Sequence, residues 1–263
     1  MNIRLDGKVA LVTGANRGIG LAIAEGFAED GASLGMAARD AAKLHAEAER
    51  LARTYNVRTL PVVSDLGRLE DATRFVRACA ESLGRIDILV NAAGDVPSSP
   101  PLQSSEDDWE NGLSVKLLGY VRCAREAVSF MKRAGGGSIV HIISISGREP
   151  VGASGVPGAV NAALLNLTKT MADELAPAGI RVNAVNPGFT QTARMERHTA
   201  AMAHAQGISH DELKRRILST IPLGRFGQAM DVANMVRFLV SDAASYITGV
   251  AVNVDGGFSR GAF

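Results

Sequence analysis

The chain has 263 residues, 46% of them hydrophobic and 21% charged, with 28 basic against 27 acidic side chains. At this length about 70% of the unfolded surface can be buried, so a packed core needs no staples, and the near-neutral balance excludes broad attraction to nucleic acid or a membrane surface. Cys79 and Cys123 lie far apart with no CxxC, which excludes a disulfide scaffold and a cysteine zinc knuckle.

Strand-length apolar runs alternate with amphipathic helical stretches. Strands are predicted at 8–12, 32–38, 57–64, 87–91, 138–144, 181–186 and 250–254. Helices are predicted at 21–30, 41–55, 70–83, 109–133, 159–175 and 229–239, the fourth as one long helix from Trp109 to Arg133. Such alternation means an α/β fold, a doubly wound parallel sheet with helices on both faces, in a single domain over 1–263. The stretch from Thr190 to Pro222 departs from the rhythm: it is polar, contains His198, His204 and His210, and follows a strand end. Ligands bind at that edge of such sheets, so 190–222 is expected to be a substrate lid. Phe189, Met195, Met202 and Ile208 suit a partly apolar, medium-sized small molecule. No apolar run is long enough to span a bilayer, and Arg4, Asp6 and Lys8 precede the first apolar run, unlike a secretory signal. A cytoplasmic protein with no membrane or nucleic-acid partner is expected.

The first strand runs into Thr13-Gly14-Ala15-Asn16-Arg17-Gly18-Ile19-Gly20, and a helix follows. Glycines allow a sharp turn and close approach to a pyrophosphate, and the helix N-terminus offers free amides. The three-residue gap between Gly14 and Gly18 resembles the fingerprint of the short-chain dehydrogenase/reductase family, whose members have a Rossmann-type sheet. Further matches follow in order: Asp65-Leu66 after the third strand, Asn91-Ala92-Ala93-Gly94 after the fourth, Asn186-Pro187-Gly188 with Thr190 and Thr192 after the sixth, and Asp255-Gly256-Gly257 near the end. The resemblance implies that Gly14, Asn16, Gly18, Ile19, Gly20, Asp65, Leu66, Asn91, Ala92 and Gly94 bind a dinucleotide cofactor, with Asp65 at the adenine ring. It implies that Pro187, Gly188, Thr190 and Thr192 hold the nicotinamide half. It also implies a homodimer or homotetramer paired through the two long helices.

Charge decides the form of cofactor. An acid after the second strand would favour a free ribose 2′-hydroxyl. This chain has Ala38 and then Arg39, with Arg17 in the glycine loop. Two guanidiniums favour a 2′-phosphate, hence NADP(H) over NAD(H). Asp40 is expected to start the next helix.

The resemblance breaks at the chemistry. The family moves a proton through a tyrosine in Tyr-x-x-x-Lys, supported by a serine and an asparagine. Flanking matches place the serine at Ser144, the tyrosine at Pro157, the lysine at Asn161 and the asparagine at Lys116. Proline has no titratable proton, and none of Tyr55, Tyr120 and Tyr246 is followed by lysine four residues on. Lys116 is therefore either a relocated acid, base or amine, or a lysine in a disused site. Asn161 retains donors and an acceptor for a ribose. Two functions stay open: an NADP(H)-dependent oxidoreductase with a rearranged catalytic set, or a cofactor-binding sensor or scaffold. His141 reads as a core histidine and Tyr120 as a packing residue. The three lid histidines, six apart, do not share a face for zinc, so no metal is expected.

Overall fold

The computed structural model describes residues 3–96, 99–150 and 154–261. Its strands are β1 (Val9–Thr13), β2 (Ser33–Ala38), β3 (Thr59–Val63), β4 (Ile88–Asn91), β5 (Gly137–Ile142), β6 (Ile180–Pro187) and β7 (Ala251–Val254). They form one parallel sheet in the order β3-β2-β1-β4-β5-β6-β7. The chain reverses direction of growth between β1 and β4, and the crevice beyond their C-terminal ends is the natural ligand site of such a sheet. β1, β4 and the last five residues of β5 are buried along their length, as expected for strands covered on both faces.

The helices are α1 (Gly18–Glu29), α2 (Ala41–Tyr55), α3 (Leu69–Leu83), α4 (Glu106–Asn111), α5 (Gly119–Arg133), α6 (Gly155–Leu175), α7 (Ala193–Ala205), α8 (His210–Ser219) and α9 (Ala229–Val240). One core layer joins the sheet to α1, α2 and α9 through Ile23, Phe27, Leu44, Leu51, Val236 and Leu239. The other joins it to α3, α5 and α6 through Phe75, Val76, Ala127, Met131, Ala172 and Leu175. No helix among the described residues is long and apolar enough to cross a membrane.

Two sequence expectations need correction. The single helix from Trp109 to Arg133 is interrupted: residues Gly112–Leu118, between α4 and α5, form a widened π-helical turn. Close packing accompanies it, because a Cβ on Gly112 would lie 2.6 Å from Val156 of α6. Periodicity over so few residues cannot separate a π turn from an α turn. The stretch 190–222, for which the sequence predicts no helix, also holds regular structure. It folds into α7 and α8, capped by Thr192 and Ser209, around a small core of Met195, Ala203, Leu213, Ile217, Ile221 and Phe226. Met202 and Ile208 pack against that core. They do not line the cleft, as the reading of a partly apolar substrate required.

Candidate active site

A cleft of about 880 Å³ opens beyond the β1 and β4 ends and runs to α7. At one end lies the glycine-rich turn. Gly14 and Gly18 have φ of +68° and +57°, a region that favours glycine. A Cβ on Gly14 would sit 3.0 Å from Ala93, and one on Gly20 would run into the Gly14 carbonyl oxygen. Thr13 ties this turn to the next strand: its hydroxyl accepts from the Ala92 and Ala93 amides at 2.9 and 3.1 Å. The turn leads into α1, whose N-cap side chain makes no capping bond. Bare glycines, uncapped amides and a helix N-terminus together fit a dinucleotide pyrophosphate.

Ala38, Arg39, Asp65 and Leu66 line the same end, as do Asn16, Ile19 and Ala92. Asp40 accepts from the Lys43 amide at 3.1 Å and so caps α2, as the sequence implied. Lys43 also lines the cleft, a third cation beside Arg17 and Arg39 that the sequence reading passed over. Asn91 was expected at the cofactor but is absent from the lining. Its amide is fully buried, 3.4 Å from the Tyr120 carbonyl and 3.3 Å from His141 Nδ1. Strand alternation points that side chain into the protein. Thr190 and Thr192 line the cleft with Pro187 and Gly188, but their hydroxyls donate to the Gly188 and Thr190 carbonyls.

Deeper in, Lys116, Ser144, Pro157 and Asn161 line one wall. Lys116 comes from the π-helical turn, is buried, and donates from Nζ to the Ile143 carbonyl at 3.0 Å. Burial, aided by the Arg194 charge, pushes its ammonium down to about 7. Asn161 donates to Ser146 Oγ at 2.9 Å, and Ser146 Oγ donates to Ser144 Oγ at 3.3 Å. The sequence reading missed Ser146; a serine two residues beyond Ser144, past the strand end, is the signal it carried. Asn161 Oδ1 is buried with no partner among the described residues. Tyr120 is buried, stacks on His141 at 5.5 Å and donates to the Ile142 carbonyl at 2.9 Å. It packs, as expected, and burial pushes the His141 imidazole down to about 4.

The far wall is α7. Asp95, after β4, pairs with Arg17 at 3.3 Å, with Arg194 at 3.2 Å and with Arg197 at 2.8 Å. Of the lid histidines, His198 lines the cleft, while His210 Nε2 bonds Thr199 Oγ1 at 2.7 Å. No group of three or more His, Cys, Asp or Glu among the described residues is placed to hold a metal ion.

With fold and site in place, comparison with known proteins gives the class. Residues 14–259 match the family described as enoyl-(acyl carrier protein) reductase. The chain is 39% identical to 3-oxoacyl-(acyl-carrier-protein) reductase FabG of Aquifex aeolicus, over 98% of this chain and 99% of that one. It is 37% identical to the enzyme of that name from Thermotoga maritima, over 97% and 99%. Among solved structures it is similar to L-sorbose reductase from Gluconobacter frateurii complexed with NADPH and L-sorbose: TM-score 0.93, 34% identity, 99% and 100% coverage. It also resembles 7α-hydroxysteroid dehydrogenase complexed with NADH, with TM-score 0.89, 28% identity, and 97% and 96% coverage. The chain belongs to the short-chain dehydrogenase/reductase family of oxidoreductases.

Proposed function

We propose that this protein is an NADP(H)-dependent oxidoreductase in which Lys116 handles the proton that a tyrosine handles elsewhere in the family. When bound, the nicotinamide supplies a hydride couple to a carbonyl, alcohol or conjugated carbon. The phosphate form follows from Arg39 and Lys43 at the adenosine end, with Asp40 spent on a helix cap, whereas Arg17 of the glycine turn pairs with Asp95 at 3.3 Å. The NADPH held by the sorbose reductase supports it. NADH in the hydroxysteroid dehydrogenase means that the choice rests on this chain's own charges.

Pro157 and Asn161 stand where the family's tyrosine and lysine are read, so neither offers a titratable proton. One observation carries the alternative: a single buried amine, brought near neutrality, shares the cleft wall with Ser144. An acid–base group titrating near 7 is matched to its task. Ser144, held by Ser146, orients the substrate oxygen, and Asn161 lies on the cleft wall where the nicotinamide ribose would sit. Helices α7 and α8 form the lid and exclude water. The working unit is a symmetric dimer or tetramer, and sedimentation showing only a 27.5 kDa monomer at micromolar concentration would contradict that assembly.

The test is calorimetric titration with NADP⁺ and NAD⁺, then NADPH-dependent turnover on a panel of ketones, aldehydes and enones. NADP⁺ is expected to bind more tightly, with measurable turnover in the wild type. Lys116→Met is expected to lose about 10²–10⁴-fold in rate while keeping cofactor affinity. Equal rates in both proteins would sink the lysine's role. Tight NADP⁺ binding with no turnover on any substrate would favour a sensor or scaffold.

A further inference from the structure

The lid end of the cleft carries an excess of positive charge that the cofactor corner does not explain. That charge comes from Arg194 and Arg197 of α7; Lys116 of the π-helical turn lies beside them with its ammonium brought down to about 7, and burial pushes the His198 imidazole down toward its neutral form. Asp95 is the one carboxylate among the described residues lining that end. The cleft's other acids are engaged at the far end, Asp40 in capping α2 and Asp65 in accepting from the Gly67 amide at 3.1 Å.

Helix α7 sorts its side chains by face. Met195 and Ala203 enter the lid core. Glu196 pairs with Lys214 of α8 at 2.9 Å and does not line the cleft. Arg194, Arg197 and His198 line the cleft together with Ala193, Met195 and Ala201.

Arg194 is also held in place. It donates to the Gly94 carbonyl at 2.8 Å and the Val96 carbonyl at 3.3 Å, and its Nε faces Asp95 at 3.2 Å. The two hydrogen bonds take one N–H on each terminal nitrogen and fix the plane of the guanidinium. Its remaining N–H groups are held in place and can donate to a carboxylate.

We propose that this end of the cleft binds a substrate bearing a carboxylate, gripped by Arg194 with Arg197 beside it, and its reacting carbon toward Lys116 and Ser144. This names the substrate class of the oxidoreductase reading and rests on it. Anion binding by these guanidiniums has two sources, the substrate and the cofactor phosphates. The substrate is favoured because the phosphates already have the glycine turn, Arg39 and Lys43.

The experiment uses the full chain saturated with NADP⁺. Acetoacetate and levulinate are titrated calorimetrically against their uncharged methyl esters. The acids are expected to bind at least about tenfold more tightly than the esters, the scale of one charge-assisted pair. Arg194→Ala is expected to abolish that difference, Arg194→Lys to restore part of it, and NADP⁺ affinity to stay within about threefold. Arg194→Gln, with its melting curve, guards against a misfolded alanine variant. Esters bound as tightly as acids, or neither bound, would overturn the proposal. So would Arg194→Ala weakening NADP⁺ about tenfold with the acid preference intact, since the guanidinium would then serve the cofactor. With NADPH supplied as reductant in a separate assay, acid binding without reduction of the bound keto acid would leave this proposal standing and sink the oxidoreductase reading; NADPH-dependent turnover of neutral ketones with no acid preference would do the reverse.

Discussion

Lys116 is an ammonium in a place where an ammonium is costly. The unfolded chain keeps its proton to about pH 10.5, whereas the fold releases it near 7. Between those values the unfolded state binds more protons, so stability rises with pH through that window and the full penalty is present below 7. Lys116→Met is therefore expected to raise the melting temperature at pH 6–7, with the gain fading as pH approaches 10.5. A gain independent of pH would show that the lysine is not desolvated. Arg39 makes the opposite kind of contribution, through a ligand. Loss of one charge-assisted pair costs about 1.5–3 kcal/mol, so Arg39→Ala is expected to narrow the preference for NADP⁺ over NAD⁺ by about tenfold or more in calorimetry.

At the scale of elements, the glycine turn and α7 both line the cleft. Gly20 in the first turn of α1 lies against the Gly14 carbonyl, and backbone cannot yield as a flexible side chain can. Gly20→Ala is expected to weaken NADP⁺ at least about tenfold by pushing α1 away from the turn; unchanged affinity would show that the turn can relax. The lid is stabilised by a small core of its own, in which Ile217 is 8% exposed. Ile217→Ala removes buried methyl groups at a cost of about 2–5 kcal/mol, charged mainly to the lid. Limited proteolysis should then cut within 190–222 well before the sheet unfolds; unchanged resistance would show that α7 and α8 do not depend on that core.

At the scale of the molecule, an ion pair joins helices far apart in sequence. Arg237 of α9 forms a bidentate pair with Asp30 at the end of α1, through Nε at 2.8 Å and through Nη2. Asp30 is 4% exposed. Removing the arginine leaves a buried charge uncompensated, a loss of about 3–5 kcal/mol. Arg237→Ala is expected to lower the melting temperature markedly, and Asp30→Asn added to it to recover part of the loss. If the double variant melts no higher than the single one, packing of the arginine stem matters more than charge.

Much of this protein is legible in the order of its residues. Local turns and alternation are short-range properties, so Thr13 to Gly20, the parallel strands and the cap at Asp40 all follow from neighbours in the chain. Cofactor preference also follows, because Ala38 and Arg39 sit at a position that the glycine turn and the next strand already define. Contacts across the sheet are different. Whether Asn91 faces the cleft or His141 depends on which way a strand end points. Whether Lys116 is exposed or buried depends on a π-helical turn packed against α6. Tertiary structure alone turns Glu196 away and Arg194 inward, because α7 has an apolar stripe that must first find α8. The burial of that stripe fixes the helix rotation, and the rotation decides which charges the substrate meets.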